Sequence, residues 1–226
     1  MYFNIVGLNN LYDTHIFNLF SKLNIYMTTD ELVYELKLPP FEEVVLPTFK
    51  GFNDDDKSIN YLLLYNIENY IKPEYCSLLN LDWYKMLYFK KSDCAGSIHT
   101  DLDIKDPYKF LSDDMYDNCF GINWISGGAG KIEFWDKCEV DINNMVTAYD
   151  GKQVLSFTQK TSPSKSYVMQ ENKAYLVNAS YPHRATGSLN RKCYSIRTLT
   201  ENRSWSEILK LFNKLIWDPN AAISEC

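Results

Sequence analysis

Histidine is scarce: only His15, His99 and His183 occur in 226 residues. Any imidazole-based site must be built from these three. The six cysteines, Cys76, Cys94, Cys119, Cys138, Cys193 and Cys226, include no CxxC pair, which excludes a zinc ribbon. Basic runs are missing as well. No Lys/Arg stretch exceeds two residues and the formal charge is −6, so the chain gains little from a phosphate backbone and no dedicated nucleic-acid binding is expected. No segment approaches the roughly 20 apolar residues of a bilayer span. The opening MYFNIVGLNN lacks a charged region followed by a long apolar one, so no signal peptide is expected. These absences predict a cytoplasmic protein with reduced thiols and no membrane partner. Gly127-Gly128-Ala129-Gly130 lacks the lysine and spacing of a phosphate loop. No serine or cysteine occupies a nucleophile elbow.

What is present is apolar and aromatic. Apolar residues make up 46% of the chain, enough for a packed core, and 17 Tyr, 12 Phe and 5 Trp favour strands. The length suits a single domain over 1–226. Strand-like segments are expected at Tyr2–Leu8, Leu32–Leu38, Trp83–Lys90, Phe120–Ser126 and Lys131–Trp135, the last two joined by the glycine turn. A hairpin over Met145–Phe157 turns at Asp150-Gly151, and Tyr167–Gln170, Ala174–Asn178 and Lys192–Leu199 complete the run. Ile59, Leu62, Leu63, Ile67 and Ile71 predict a helix from Lys57 to Lys72, ended by Pro73. A second helix spans Ser204–Ile216, with Ser204 and Glu207 forming a capping box. Asp54–Asp56 reads as a solvated loop. Many short alternating strands flanked by helices predict a mainly β, antiparallel jelly roll or sandwich.

Two histidines stand in suggestive places. In Ser97-Ile98-His99-Thr100-Asp101, residues i and i+2 of an extended strand share a face, so His99 and Asp101 can meet one ion. His183 follows the apolar strand Ala174–Asn178, 84 residues later. Two histidines and a carboxylate form a facial triad suited to non-haem Fe(II). Arg191 and Arg197 follow, six residues apart and so on one strand face, with Cys193 and Ser195 between them. An arginine fork suits a carboxylate better than lysine does. His15 has no such partners and reads as structural, as do Trp83, Trp124 and Trp135. An isolated His-x-Asp is common; the ordered set of His-x-Asp, His and Arg is far more specific.

From Tyr88 to Arg197 the chain resembles the Fe(II)/2-oxoglutarate-dependent oxygenase superfamily, in particular small prolyl- or aspartyl-hydroxylase-like members of bacteria and phages. The resemblance is carried by Leu87-Tyr88, Gly96–Asp101, Gly121–Trp124, Ile132–Trp135, Leu176–Asn178, Pro182-His183 and Arg191–Arg197. It implies a double-stranded β-helix, cupin-like, with its core over about 80–200, an N-terminal extension 1–79 and a C-terminal helix over about 204–217. It also implies Fe(II) held by His99, Asp101 and His183, with 2-oxoglutarate and O2 as co-substrates. Arg191 first, and Arg197 with it, would take the 5-carboxylate of 2-oxoglutarate. Tyr88, Asn123 and Ser195 would complete the co-substrate pocket. The implied reaction hydroxylates a protein side chain, an amino acid or a small molecule and releases succinate and CO2. The competing readings are a non-redox cupin-like barrel binding metal or sugar, and a purely structural β-module. A complete ligand set with its arginines in order favours the oxygenase over both, since neither needs that set.

Overall fold

The computed structural model describes residues 31–49, 61–81, 86–92, 96–102, 119–148, 151–188, 190–197 and 203–217. Contacts divide the chain into Met1–Glu31 and Leu32–Cys226, and every element below belongs to the second unit. The expected strand Tyr2–Leu8, His15, Trp83 and the Asp54–Asp56 loop lie outside the described residues.

The fold is mainly β and antiparallel throughout, in a jelly-roll-like arrangement of two six-stranded sheets. The first sheet contains β1 (Val33–Leu36), β2 (Tyr61–Tyr65), β3 (Met86–Ser92), β5 (Phe120–Ser126), β10 (Ala174–Asn178) and β12 (Arg191–Arg197), in the order β1-β10-β5-β12-β3-β2. The second contains β4 (Ile98–His99), β6 (Gly130–Phe134), β7 (Val140–Thr147), β8 (Gln153–Gln159), β9 (Lys165–Met169) and β11 (His183–Gly187), in the order β7-β8-β4-β11-β6-β9. Consecutive strands of the chain repeatedly fall in opposite sheets, so residues far apart in sequence become neighbours. The glycine turn joins β5 to β6 as its composition requires. Gly127 and Gly128 have φ of 73° and 130°, and a Cβ on Gly127 would stand 2.2 Å from the carbonyl oxygen of Asn190.

Alternation decides which side chains reach the interior. On β12, Tyr194 stacks on Phe41 with ring centroids 4.2 Å apart, and Phe41 lies in a short helix, α1 (Phe41–Val44). The indole of Trp124 packs on the same phenyl ring and donates to the carbonyl of Pro39 at 3.1 Å. Phe120 stacks on Trp205 of the C-terminal helix, called α3 here (Trp205–Phe212). Ser204 caps α3 through the expected box with Glu207, and Trp205, Ile208, Leu209 and Phe212 are its buried face. These contacts cover one face of the first sheet at β5 and β12. Arg191, Cys193, Ser195 and Arg197 alternate with Tyr194 and Ile196, which sends them to the opposite side, toward the second sheet. An apolar cluster of Ile125, Ile132, Phe134, Met169, Tyr175 and Val177 fills part of that interior.

The helix expected over Lys57–Lys72 does not form over its described part, 61–72. Residues 61–65 are β2, paired from Tyr61↔Lys90 to Tyr65↔Met86, and Ile67–Asn69 is one 3-10 turn. The spacing of Leu62, Leu63 and Ile67 mimics a helical stripe, but the segment Tyr-Leu-Leu-Leu-Tyr also suits a strand, and the ladder with β3 satisfies its backbone. Asn66, at φ 53°, ends the strand. Pro73, expected as a terminator, instead opens a helix, α2 (Pro73–Leu78), where its missing N–H costs nothing. The expected C-terminal helix is shorter than its stripe: after Phe212 the chain turns through 213–215 and Ile216 bridges to Leu36. No helix among the described residues is long and apolar enough to cross a membrane.

Candidate metal centre

β4 is only two residues long, yet it carries the first candidate ligand. His99 pairs with Ser156 of β8 on one side and with His183 of β11 on the other. The antiparallel register therefore places the two imidazoles side by side, with ring centroids 4.7 Å apart. Asp101 lies just beyond β4, on the same side as His99. Its Oδ1 is 3.4 Å from His99 Nε2 and its Oδ2 is 3.9 Å from His183 Nε2. One ligand atom from each of the three lies within 4.8 Å of the others.

The imidazoles are oriented as metal ligands are. The Nδ1 of His99 lies 2.8 Å from the carbonyl of Ser97, and the Nδ1 of His183 lies 2.9 Å from the carbonyl of Tyr181. A carbonyl only accepts, so each Nδ1 carries the proton and each Nε2 presents a lone pair to the cluster. Burial, with the neighbouring His99, pushes His183 down to about 4, so it is uncharged at neutral pH. Burial would raise Asp101, but the Arg197 guanidinium, with the two neighbouring histidines, holds its carboxyl well below the usual range. Two imidazoles and one carboxylate fit a divalent ion.

The depressed His183 has a consequence for the metal-free protein. Between about pH 4 and the ordinary histidine value of about 6.5, the unfolded chain takes up a proton that the folded chain refuses. Stability therefore rises with pH across that window and falls as pH drops through 6.5. The full loss is on the order of 3 kcal/mol. Urea midpoints at pH 7, 6 and 5 check it: they should decrease in order, and His183→Gln should flatten the slope above pH 5. The stabilising ionisation of Asp101 is lost only at lower pH, below the usual carboxylate range.

The two arginines are in different situations. Arg197 Nη1 donates to Asp101 Oδ2, and its Nε donates to Ser195 Oγ at 2.7 Å. Ser195 in turn donates to Asn123 Oδ1. A buried chain thus runs from Asn123 through Ser195 and Arg197 to the candidate ligand. The amide nitrogen of Asn123 is left without a partner among the described residues. Arg191 is 4% exposed and has no carboxylate partner among the described residues. Its Nη2 lies 4.0 Å from the sulfur of Met169, and its Nε is buried without a hydrogen bond. Gly130 and Gly187, paired across β6 and β11, make room for its stem. A Cβ on Gly187 would stand 2.4 Å from Arg191 Cδ, and one on Gly130 would stand 2.7 Å from Nε. Gly187 lies four residues along β11 from His183, roughly 13 Å. Tyr88 pairs with Ser195 through the backbone, and its side chain lies outside the described residues.

Sequence reasoning missed the glycine pair that admits Arg191. It also missed Cys119, whose thiol reaches the Asp101 carbonyl, and Ser180, which holds Cys119. A glycine in the strand-like His-Arg-Ala-Thr-Gly, where no turn is needed, is the signal that could have found Gly187.

No family model and no curated protein matches the sequence. The chain is similar to two solved structures of Escherichia coli YcfD, one of them described as a ribosomal oxygenase. Identity is 12% in both, with TM-scores of 0.37 and 0.35, over 80% of this chain and 45% and 44% of the others. The chain therefore spans under half the length of the structures it matches.

Proposed function

We propose that this chain is a non-haem Fe(II) and 2-oxoglutarate-dependent oxygenase that hydroxylates a protein side chain, an amino acid or a small molecule. One observation carries the reading. A convergent His/His/Asp set shares an interior with a buried arginine, Arg191, that has no carboxylate partner among the described residues. Neither a structural barrel nor a sugar-binding cupin has a physical need for that pair of features. A buried guanidinium without an anion is costly. A diacid that binds the metal at one end and the guanidinium at the other relieves that cost.

In this reading Nε2 of His99, Nε2 of His183 and the Asp101 carboxylate hold the iron. Iron(II) supplies oxygen activation coupled to decarboxylation of 2-oxoglutarate to succinate and CO2, chemistry that no side chain provides. The chain's own residues bind, orient and shield. Arg191 grips the remote carboxylate of the co-substrate with a charge-assisted fork. The unpaired amide of Asn123 donates to a co-substrate oxygen. Arg197, held by Ser195, ties one oxygen of Asp101 and leaves the other for the metal. Phe134, whose ring centroid lies 5.7 Å from that of His183, and the neighbouring Ile132 keep water from the ligand face. The reading includes no nucleic-acid partner, because the net charge offers none an electrostatic advantage.

The test is direct. Protein supplied with Fe(II), ascorbate, O2 and 2-oxoglutarate should release succinate slowly even without its hydroxylation substrate, and Zn(II) should give none. An anaerobic Fe(II) sample should also show the visible charge-transfer band of a chelated 2-oxo acid. Absence of both succinate and the band overturns the reading.

A further inference from the structure

Asp101 is the one candidate ligand outside a strand, so no sheet ladder fixes its backbone. Two hydrogen bonds do so instead. Its N–H donates to the carbonyl of Ala179 at 3.1 Å, and its own carbonyl accepts from the thiol of Cys119 at 3.4 Å. Both partners belong to one buried hub. The Ser180 hydroxyl accepts from the N–H of Cys119 at 3.0 Å and donates to the carbonyl of the same residue at 3.4 Å. That carbonyl also accepts from the N–H of Ala179 at 2.9 Å. The N–H of Ser180 is taken by the side chain of Asn178 at 3.1 Å. Asn178, Ala179 and Ser180 are all 1% exposed or less, and Cys119 is 5% exposed.

The hub joins the segment bearing Asp101 to the segment leading into His183. A single hydroxyl that engages both polar backbone groups of Cys119 fixes the height and rotation of that residue, and with them the direction of its thiol. We infer that Ser180 is a positioning residue for the Asp101 carboxylate, acting through Cys119 on the backbone on either side of the ligand. The inference rests on the metal-centre reading above and deepens it. It explains why a serine stands fully buried between an apolar strand and the distal histidine, where alanine would satisfy packing.

The test is Co(II) binding to the full chain, read from the visible d–d bands, with Ser180→Ala, Cys119→Ala and Leu209→Ala compared. Leu209 is a buried core residue of α3 and controls for loss of stability alone. The expected result is a ten- to hundredfold loss of Co(II) affinity in Ser180→Ala, the range for an outer partner of a ligand. Band positions should shift, because the carboxylate no longer meets the ion at the same angle. Cys119→Ala, which deletes only the thiol contact, should lose affinity by a smaller factor, and it decides the matter alone if Ser180→Ala does not fold. Leu209→Ala should melt at lower temperature with affinity and bands unchanged. Wild-type affinity in both hub variants overturns the inference while leaving the metal centre intact. So does an equal loss in Leu209→Ala. Failure of the wild-type protein to bind Co(II) removes the metal centre and the inference together.

Discussion

Asp101→Ala should abolish metal binding at Co(II) or Fe(II) concentrations that saturate the wild-type protein, a loss of at least about 100-fold since even outer-shell partners cost 10- to 100-fold. Two imidazoles alone supply neither the negative charge nor the third facial position that a hard divalent ion needs. The same substitution strips Arg197 of the carboxylate it is paired with, at a site where that guanidinium is only 14% exposed. The metal-free variant should therefore also unfold at a lower urea midpoint, because a largely buried guanidinium has lost this carboxylate. Asp101→Asn separates the two effects. Its amide oxygen still accepts from Arg197, so stability should recover part of the loss, while the missing charge keeps metal affinity low. Calorimetric metal titration beside urea unfolding reads both. Wild-type affinity in Asp101→Ala would remove the carboxylate from the ligand set.

The candidate ligands were legible as a group in the sequence because each sits in a local pattern that survives folding. His99 and Asp101 are two apart on extended chain, and that spacing alone puts them on one side. What sequence could not supply was the register that brings His183, 84 residues on, opposite His99 across β11 and β4. β11 itself was not foreseen: Arg184, Thr186 and Gly187 give it little apolar alternation, and its pairing with β4 and β6 holds it instead. The helix expected over Lys57–Lys72 failed for the reverse reason, since a local stripe was overruled by a neighbouring strand edge. The capping box of α3 was legible in full, because a cap is satisfied within one turn. The two arginines looked alike in sequence. Only packing separates them, Arg197 tied to Asp101 and Arg191 set between two glycines.

That separation leads to an expectation with opposite signs for stability and binding. In the metal-free, co-substrate-free protein, Arg191 is a buried cation facing methionine sulfur and glycine. Replacing it with methionine keeps an unbranched apolar stem and removes an uncompensated charge, so Arg191→Met should raise the melting temperature of the unliganded protein. The wild-type protein, given Mn(II) and 2-oxoglutarate without oxygen, should gain stability in proportion to ligand excess over its dissociation constant. Arg191→Met should gain from Mn(II) as the wild type does and gain much less from 2-oxoglutarate at the same concentration. A charge-assisted pair is worth about 1.5–3 kcal/mol, so co-substrate affinity should fall about ten- to hundredfold. Arg191→Lys should fall between, keeping the charge and losing the two-point geometry. The paired measurement is thermal unfolding across a 2-oxoglutarate series at fixed Mn(II). A lower melting temperature for unliganded Arg191→Met, together with an undiminished shift on adding 2-oxoglutarate, would show that Arg191 serves the fold and that the remote carboxylate is held elsewhere.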